Sequence, residues 1–143
     1  MPVILTQTDT TVGFLSQNAQ KLIEIKSRDT SKQFLKVYSS FKDFTKDANR
    51  VPKSKRKLVR NSKKTTFIIK NRAFRISKTS LNSQILQNFT WQYSTSANES
   101  GKNFDREFCE SKADIIIENC DGLSEQKSSS LLKINNTTIR KLR

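Results

Sequence analysis

The chain has 143 residues, long enough for one domain with a real core, but only 34% of them are hydrophobic and the mean hydropathy is −0.67. It has no histidine, and its two cysteines lack metal-type spacing, which excludes a Ser-His-Asp triad, a Cys-His pair and an ordinary zinc site. No apolar run approaches the ~20 residues that span a bilayer, and no signal-peptide pattern opens the chain, so a cytoplasmic protein with reduced cysteines and no membrane contact is expected.

In chain order, Val3 to Thr6 is predicted as a strand, followed by a Thr/Asp turn. Ser16 is placed as the N-cap of a helix through Lys26, in which Ala19, Leu22, Ile23 and Ile25 supply the apolar positions. Phe34 to Tyr38 alternates as a strand, and Ser39 or Ser40 caps a short helix through Ala48. Pro52 suits the first turn of a helix ending near Asn61. Thr65 to Lys70 and Ala73 to Ser77 read as two strands about an Asn71-Arg72 turn. Leu81, Ile85, Leu86 and Phe89 have helical spacing, and Phe89 to Tyr93 reads as a strand. Phe104 to Lys112 is predicted to be helical and Asp114 to Ile117 to be a buried strand. Leu131 to Ile134 is expected to pair with Thr138 to Leu142 across Asn135-Asn136. These elements describe an α/β fold, a single-domain α/β sandwich around a twisted mixed sheet spanning residues 1–143.

Charge is unevenly placed. The net charge is +14, and from Arg50 to Lys78 there are twelve Lys or Arg with no Asp or Glu. Lys53, Lys55, Arg56, Lys57, Arg60, Lys63 and Lys64 form the densest part and are candidate RNA-binding residues, because such a surface attracts polyanions. By contrast, Glu99 to Glu125 holds eight acids and only three bases.

Three segments carry more specific information. Val3-Ile4-Leu5 runs into Thr6-Gln7-Thr8-Asp9-Thr10-Thr11-Val12-Gly13-Phe14. Lys26-Ser27-Arg28-Asp29-Thr30-Ser31-Lys32 reads K-x-R-x-x-x-K. Phe89 to Tyr93 leads into Ser94-Thr95-Ser96-Ala97-Asn98-Glu99-Ser100-Gly101. Taken alone, the last is a Ser/Asn-rich turn whose hydroxyls, amide and backbone N–H groups suit a phosphate or carboxylate. In this order the three resemble the YrdC/YciO family of threonylcarbamoyl-adenylate synthases, with its P-T-D-T-x-Y-G-L-like turn, K-x-R-x-x-x-K-P motif and S-T-S-A-N-x-S-G motif. The octet matches at every fixed position. Thr66-Phe67-Ile68-Ile69 looks like the family's G-P-x-T strand, and Ala73-Phe74-Arg75-Ile76 like its x-V-R-x strand.

The resemblance implies a YrdC-like fold and condensation of L-threonine, bicarbonate and ATP into threonylcarbamoyl-AMP and pyrophosphate, for tRNA threonylcarbamoyladenosine modification. Every reactant is anionic, so cations can carry the catalysis without a histidine. Lys26, Arg28 and Lys32 are the implied catalytic cations, Arg28 offering a planar fork to phosphate oxygens. Thr8 and Thr10 are assigned to threonine or its carbamate. Ser94, Ser96 and Asn98 are assigned to phosphate or carbamate oxygens, with Thr66 and Arg75 completing the site and Asp9 stabilising its turn. ATP enters as a substrate with Mg²⁺, no protein metal site is expected, and a downstream tRNA-transfer protein and RNA (tRNA or double-stranded) are the implied partners.

The chain departs from the family pattern at several points. Gln7, Val12, Asp29 and Gln33 stand where a Pro, an aromatic residue and two further prolines are usual, and Lys64-Thr65 replaces Gly-Pro. Loss of Pro and Gly loosens loops and keeps backbone away from a ligand. The family's usual N-terminal extension is also expected to be missing. Two further classes therefore compete with the enzyme: a non-catalytic YrdC-like RNA-binding protein using its basic surface, and a structural basic protein. The octet and the three cations favour the enzyme.

Overall fold

A computed structural model describes the chain apart from residues 28–33, 48 and 78–80 and the side chains of 81–83. Strands β1 (Ile4–Gln7) and β2 (Val12–Ser16) are followed by helix α1 (Ala19–Lys26), β3 (Leu35–Tyr38), α2 (Phe41–Lys46) and, after a 3-10 turn at Lys53–Lys55, α3 (Arg56–Asn61). Then come β4 (Thr65–Ile69), β5 (Arg72–Ile76), α4 (Leu81–Phe89), β6 (Trp91–Ser96), α5 (Arg106–Lys112), β7 (Ile115–Ile117), β8 (Ser130–Ile134) and β9 (Ile139–Lys141). Among the described residues the strands form one mixed sheet in the order β7-β1-β2-β6-β3-β5-β4-β8-β9. This is the mixed α/β fold that the alternating elements imply.

The strand period of two sorts side chains onto the two faces. One face carries Val3, Leu5, Val12 and Phe14 against α1 and α5, and Tyr38, Phe67, Phe74 and Ile134 against Phe44 of α2 and Val59 of α3. Phe44 and Phe74 stack with centroids 4.2 Å apart, so the phenylalanines do supply core volume. The opposite face presents Ile4 and Leu15 to Ile85 of α4. Beyond α4 it is open, and there it presents Ser94, Ser96, Arg75, Thr66 and Leu131.

Several local expectations hold. Ser40 caps α2, its Oγ accepting from the Asp43 N–H; Asp105, a cap not expected from the sequence, does the same for α5. The β4–β5 hairpin turns at Lys70-Asn71 rather than Asn71-Arg72. Both residues have positive φ (50° and 64°), as a two-residue type I′ turn requires. Four expectations are corrected. Residues 12–16 are a strand, and Ser16 ends it; Asn18 caps α1 instead. Strand β6 begins at Trp91 because Phe89 closes α4, and it runs on through Ser94–Ser96, so the first part of the octet is sheet and not turn. Finally, Ile115 and Ile116 are 42% and 43% exposed, because β7 is the sheet edge and, among the described residues, pairs only with β1.

Cys109 is fully buried on α5, and burial pushes its thiol up, whereas Cys120 is exposed. A thiol reagent on folded protein should therefore label Cys120 alone, with Cys109 reacting only after denaturation. Equal labelling of both would show that α5 does not pack as described. No helix among the described residues is long and apolar enough to cross a membrane.

Candidate functional site

The open face of the sheet forms a cleft of about 420 Å³. Side chains two apart on one strand share a face, so Ser94 and Ser96 of β6 both line it, as do Arg75 of β5 and Thr66 of β4. The β1–β2 turn adds Thr8 and Thr10. Here Thr8 Oγ1 donates to the Thr11 carbonyl at 2.6 Å, lies 3.2 Å from Thr10 Oγ1 and accepts from the Thr10 N–H at 3.2 Å. Gly13 lies opposite Ser96 in the sheet. A Cβ there would come within 3.0 Å of both Thr8 Cγ2 and the Thr95 carbonyl, so glycine is what lets the turn pack against the β6 edge of the cleft.

Arg75 is the buried charge of the cleft, at 4% exposure. Its Nε lies 3.1 Å from Asp9 Oδ1, and Asp9 is 11% exposed. The N–H does not point along that contact, so the two make an ion pair without a directed hydrogen bond. Burial works against the Arg75 charge, Asp9 supports it and nearby Arg143 opposes it; the net effect lowers its pKa. Arg143 closes the far wall, donating from Nε to the Ser129 carbonyl at 2.9 Å and from Nη2 to Ser129 Oγ at 3.3 Å. Ser129 Oγ is 2.7 Å from Thr66 Oγ1, which Arg75 Nη1 approaches at 3.5 Å. The two arginines are thus linked through two hydroxyls, and Asp9 pairs with Arg75.

Lys26 and Asn98 do not line this cleft but stand behind its Ser96 end. Lys26, 4% exposed, donates from Nζ to the Ser96 carbonyl at 3.1 Å, the Asn98 carbonyl at 2.9 Å and Asn98 Oδ1 at 2.6 Å. Asn98 Oδ1 also accepts from Ser96 Oγ, its Nδ2 donates to the Lys102 carbonyl, and Ser100 Oγ donates to the Lys26 carbonyl at 2.6 Å. The end of α1 and the octet therefore lock each other. Arg28 and Lys32 lie outside the described residues.

Six of the ten residues expected at the small-molecule site, Thr8, Thr10, Thr66, Arg75, Ser94 and Ser96, meet in the cleft. Ser128, Ser129 and Arg143 also line it from outside the sequence motifs, as does Thr11 from within the first of them. The hydroxyl run Ser128-Ser129-Ser130 is a visible signal in the sequence, but nothing local marks Arg143. Asp9 does more than support its turn, since it is the counter-ion of Arg75.

The basic segment does not form one face. Arg75 turns into the cleft, while Lys63 and Lys64 border an adjoining pocket of about 370 Å³ that shares Thr8 with the cleft and also holds Asp9 and Asp121. Lys53, Lys55, Arg56, Lys57 and Arg60 lie on the 3-10 turn and α3, exposed except for half-buried Lys55. Among the described residues, no acid lies within ion-pair distance of these five. Arg56 and Arg60 border a groove of about 700 Å³ with Phe41, Lys42 and Arg50, and the Arg60 guanidinium sits 4.6 Å from the Phe41 ring centre.

A mixed sheet with one helix-covered face and an anion-suited cleft on the other defines the class of fold. The Sua5/YciO/YrdC family model, which carries the description telomere recombination, matches residues 2–143, and the chain belongs to that family. No curated protein matches it at the sequence level. Among solved structures, it is similar to Sua5 of P. abyssi complexed with L-threonine (TM-score 0.80, 16% identity, covering 99% of this chain and 50% of that one). It is also similar to E. coli YciO (TM-score 0.77, 17% identity, 99% and 82%). A third similar structure is full-length HypF in a phosphate- and nucleotide-bound form (TM-score 0.73, 15% identity, 99% and 26%). The chain spans about half the length of the Sua5 chains it matches.

Proposed function

We propose that the chain is an L-threonylcarbamoyladenylate synthase, forming threonylcarbamoyl-AMP and pyrophosphate from L-threonine, bicarbonate and ATP for tRNA modification. The observation that carries this reading is the convergence of Thr8, Thr10, Thr66, Ser94, Ser96, Arg75 and Arg143 on one cleft, in a chain of the Sua5/YciO/YrdC family. Hydroxyls supply neutral donors and acceptors to threonine and its carbamate, and the two arginines hold anionic oxygens. Attack of the carbamate oxygen on the α-phosphate concentrates negative charge, which fixed guanidinium groups stabilise without a proton transfer.

Lys26 acts here as a positioning residue, holding the Ser96 and Asn98 backbone, while Arg28 and Lys32 are the cations that would approach phosphate. Mg²⁺ would arrive on the ATP phosphates. Among the described residues no three His, Cys, Asp or Glu side chains gather, and Asp9 faces Arg75. The adenylate then passes to a separate tRNA-transfer protein. The test is pyrophosphate release from ATP by the purified chain, with threonine and bicarbonate each withheld in turn. Release that needs both supports the reading, and Arg28→Ala should lower it at least about tenfold, equivalent to ~1.4 kcal/mol of transition-state stabilisation. Release that is indifferent to threonine overturns it.

A second reading, RNA binding on the basic surface, is favoured by the five cations of the 3-10 turn and α3 that have no acid within ion-pair distance among the described residues. Each neutralised phosphate releases counterions, so affinity for a duplex stem should fall steeply with salt, by about 0.9 in log–log slope per contact on B-DNA and less on single strands. Replacing Lys53, Lys55, Arg56 and Lys57 with Gln should flatten that slope and leave pyrophosphate release intact. Affinity in low salt no better than that of a neutral protein would make the segment a solubilising surface.

A further inference from the structure

A second cavity, of about 440 Å³, lies on the opposite face of the sheet, between α1 and the end of α2. The synthase reading makes no use of it. Its floor follows from the same period of two that builds the cleft. Lys36 and Tyr38 of β3, Phe74 of β5 and Tyr93 of β6 point to the helix-bearing face, while their neighbours Leu35, Ala73, Arg75 and Ser94 reach the cleft. The volume falls in the range of small-molecule sites.

The polar groups of this cavity are organised and only partly satisfied by one another. The Tyr38 hydroxyl donates to Asp47 Oδ2 at 2.6 Å and accepts from Asn49 Nδ2 at 3.1 Å, which leaves it no proton to donate to a ligand. Asn49 Nδ2 also donates to the Phe44 carbonyl at 3.1 Å, so the carbonyl oxygen is the part of this amide that remains to be used. Lys36 Nζ donates to Asp47 Oδ2 at 3.1 Å and lies 4.0 Å over the Trp91 ring, with further N–H groups to spare. Arg72, exposed at the rim, has no ion-pair partner among the described residues. Two cations against one carboxylate favour an anion. Burial opposes the charge of Asp47, but the Tyr38 hydroxyl, Lys36 and Asn49 outweigh it and hold the carboxyl below its usual range. Asp47 Oδ1 and Asn49 Oδ1 are therefore fixed acceptors at the edge of an aromatic wall.

We propose that this cavity is a nucleotide site distinct from the cleft. It would take a nucleoside monophosphate whose base bears an exocyclic amine, with the base against Tyr93, the amine on Asp47 Oδ1 and Asn49 Oδ1, and the phosphate at Arg72, while Lys36, 3.1 Å from Asp47 Oδ2, balances that carboxylate. A uracil would set carbonyls against those acceptors, and a ribose phosphate would leave the aromatic wall uncovered. Trp91, the only tryptophan, makes edge contact with Tyr93 at 5.1 Å between centroids and so reports on this face of the sheet.

The test is titration of the full chain with AMP, followed by Trp91 fluorescence, with UMP and ribose 5-phosphate as comparators. The expected result is a saturable change with AMP, at least about tenfold weaker with either comparator. Arg72→Gln, at an exposed position, should weaken AMP about tenfold, and Arg140→Gln, exposed on β9 and lining neither the cleft nor this cavity, should leave the titration unchanged. No saturable change, equal response to UMP, or a titration that Arg72→Gln leaves unchanged would each overturn the proposal. Pyrophosphate release is read separately, so failure here leaves the synthase reading standing.

Discussion

Asp9→Asn should lower the stability of the folded protein by about 3 kcal/mol, a large share of what a domain of this size has. The reason is the burial of Arg75. Its guanidinium cannot lose its proton, and Asp9 is its carboxylate partner among the described residues, while Arg143 adds repulsion. Removing one member of a buried pair leaves the other uncompensated, which costs more than the pair contributes. Urea unfolding followed by Trp91 fluorescence measures the effect as a lower midpoint with an unchanged slope. The double variant Asp9→Asn/Arg75→Met should recover most of the loss, because no buried charge then lacks a partner. Inorganic phosphate should raise the midpoint of Asp9→Asn more than that of the unaltered chain, by taking the place of the carboxylate beside Arg75. A loss below about 1 kcal/mol would mean that the cleft is wet enough to solvate Arg75 by itself.

Lys26→Met should also be costly, again by about 3 kcal/mol, because the Ser96 and Asn98 carbonyls and Asn98 Oδ1 would lose a buried charged donor. The loss should be local as well as global. Amide exchange at Ala97 and Asn98 should accelerate relative to β1 and β2, since the ammonium ties that turn to the end of α1. Pyrophosphate release should fall with the loss of order. If Lys26→Met left stability and exchange unchanged yet abolished turnover, the ammonium would be acting on substrate directly, as the K-x-R-x-x-x-K resemblance alone would suggest.

Much of the cleft is legible in the order of the amino acids. Thr66 lies in an expected strand, Ser94 and Ser96 lie in an octet marked by its match to the family motif although it reads as a turn, and Thr8 and Thr10 lie in a turn rich in hydroxyls. The hairpin between β4 and β5 falls within one residue of its expected place, because only certain residues tolerate two successive positive φ angles. Strand β2 is hidden in the sequence for a physical reason. All five of its residues are buried, one of them is Gly13, and a strand covered on both faces shows no alternation. The reverse holds at β7, where three isoleucines read as interior although no strand among the described residues pairs with their outer edge.

Local features follow from the sequence alone: the helix cap at Ser40, the hairpin turn, the faces set by the period of two, and an excess of positive charge. These depend on neighbours a few residues away, and steric and hydrogen-bonding preferences settle them there. What the charges do is a matter of the tertiary fold. Arg75 meets Asp9 because β1 and β5 carry their ends to one cleft, Lys26 reaches the octet across the body of the chain, and Arg143 enters the cleft because β9 folds back on β8. Within the basic segment Arg75 turns into the cleft, Arg72 borders the second cavity, Lys63 and Lys64 border the adjoining pocket, and five more lie on the 3-10 turn and α3, because each charge goes where its own strand or helix face points. A charge buried in a protein is governed by the one or two groups around it, and strand order, not spacing along the chain, selects those groups.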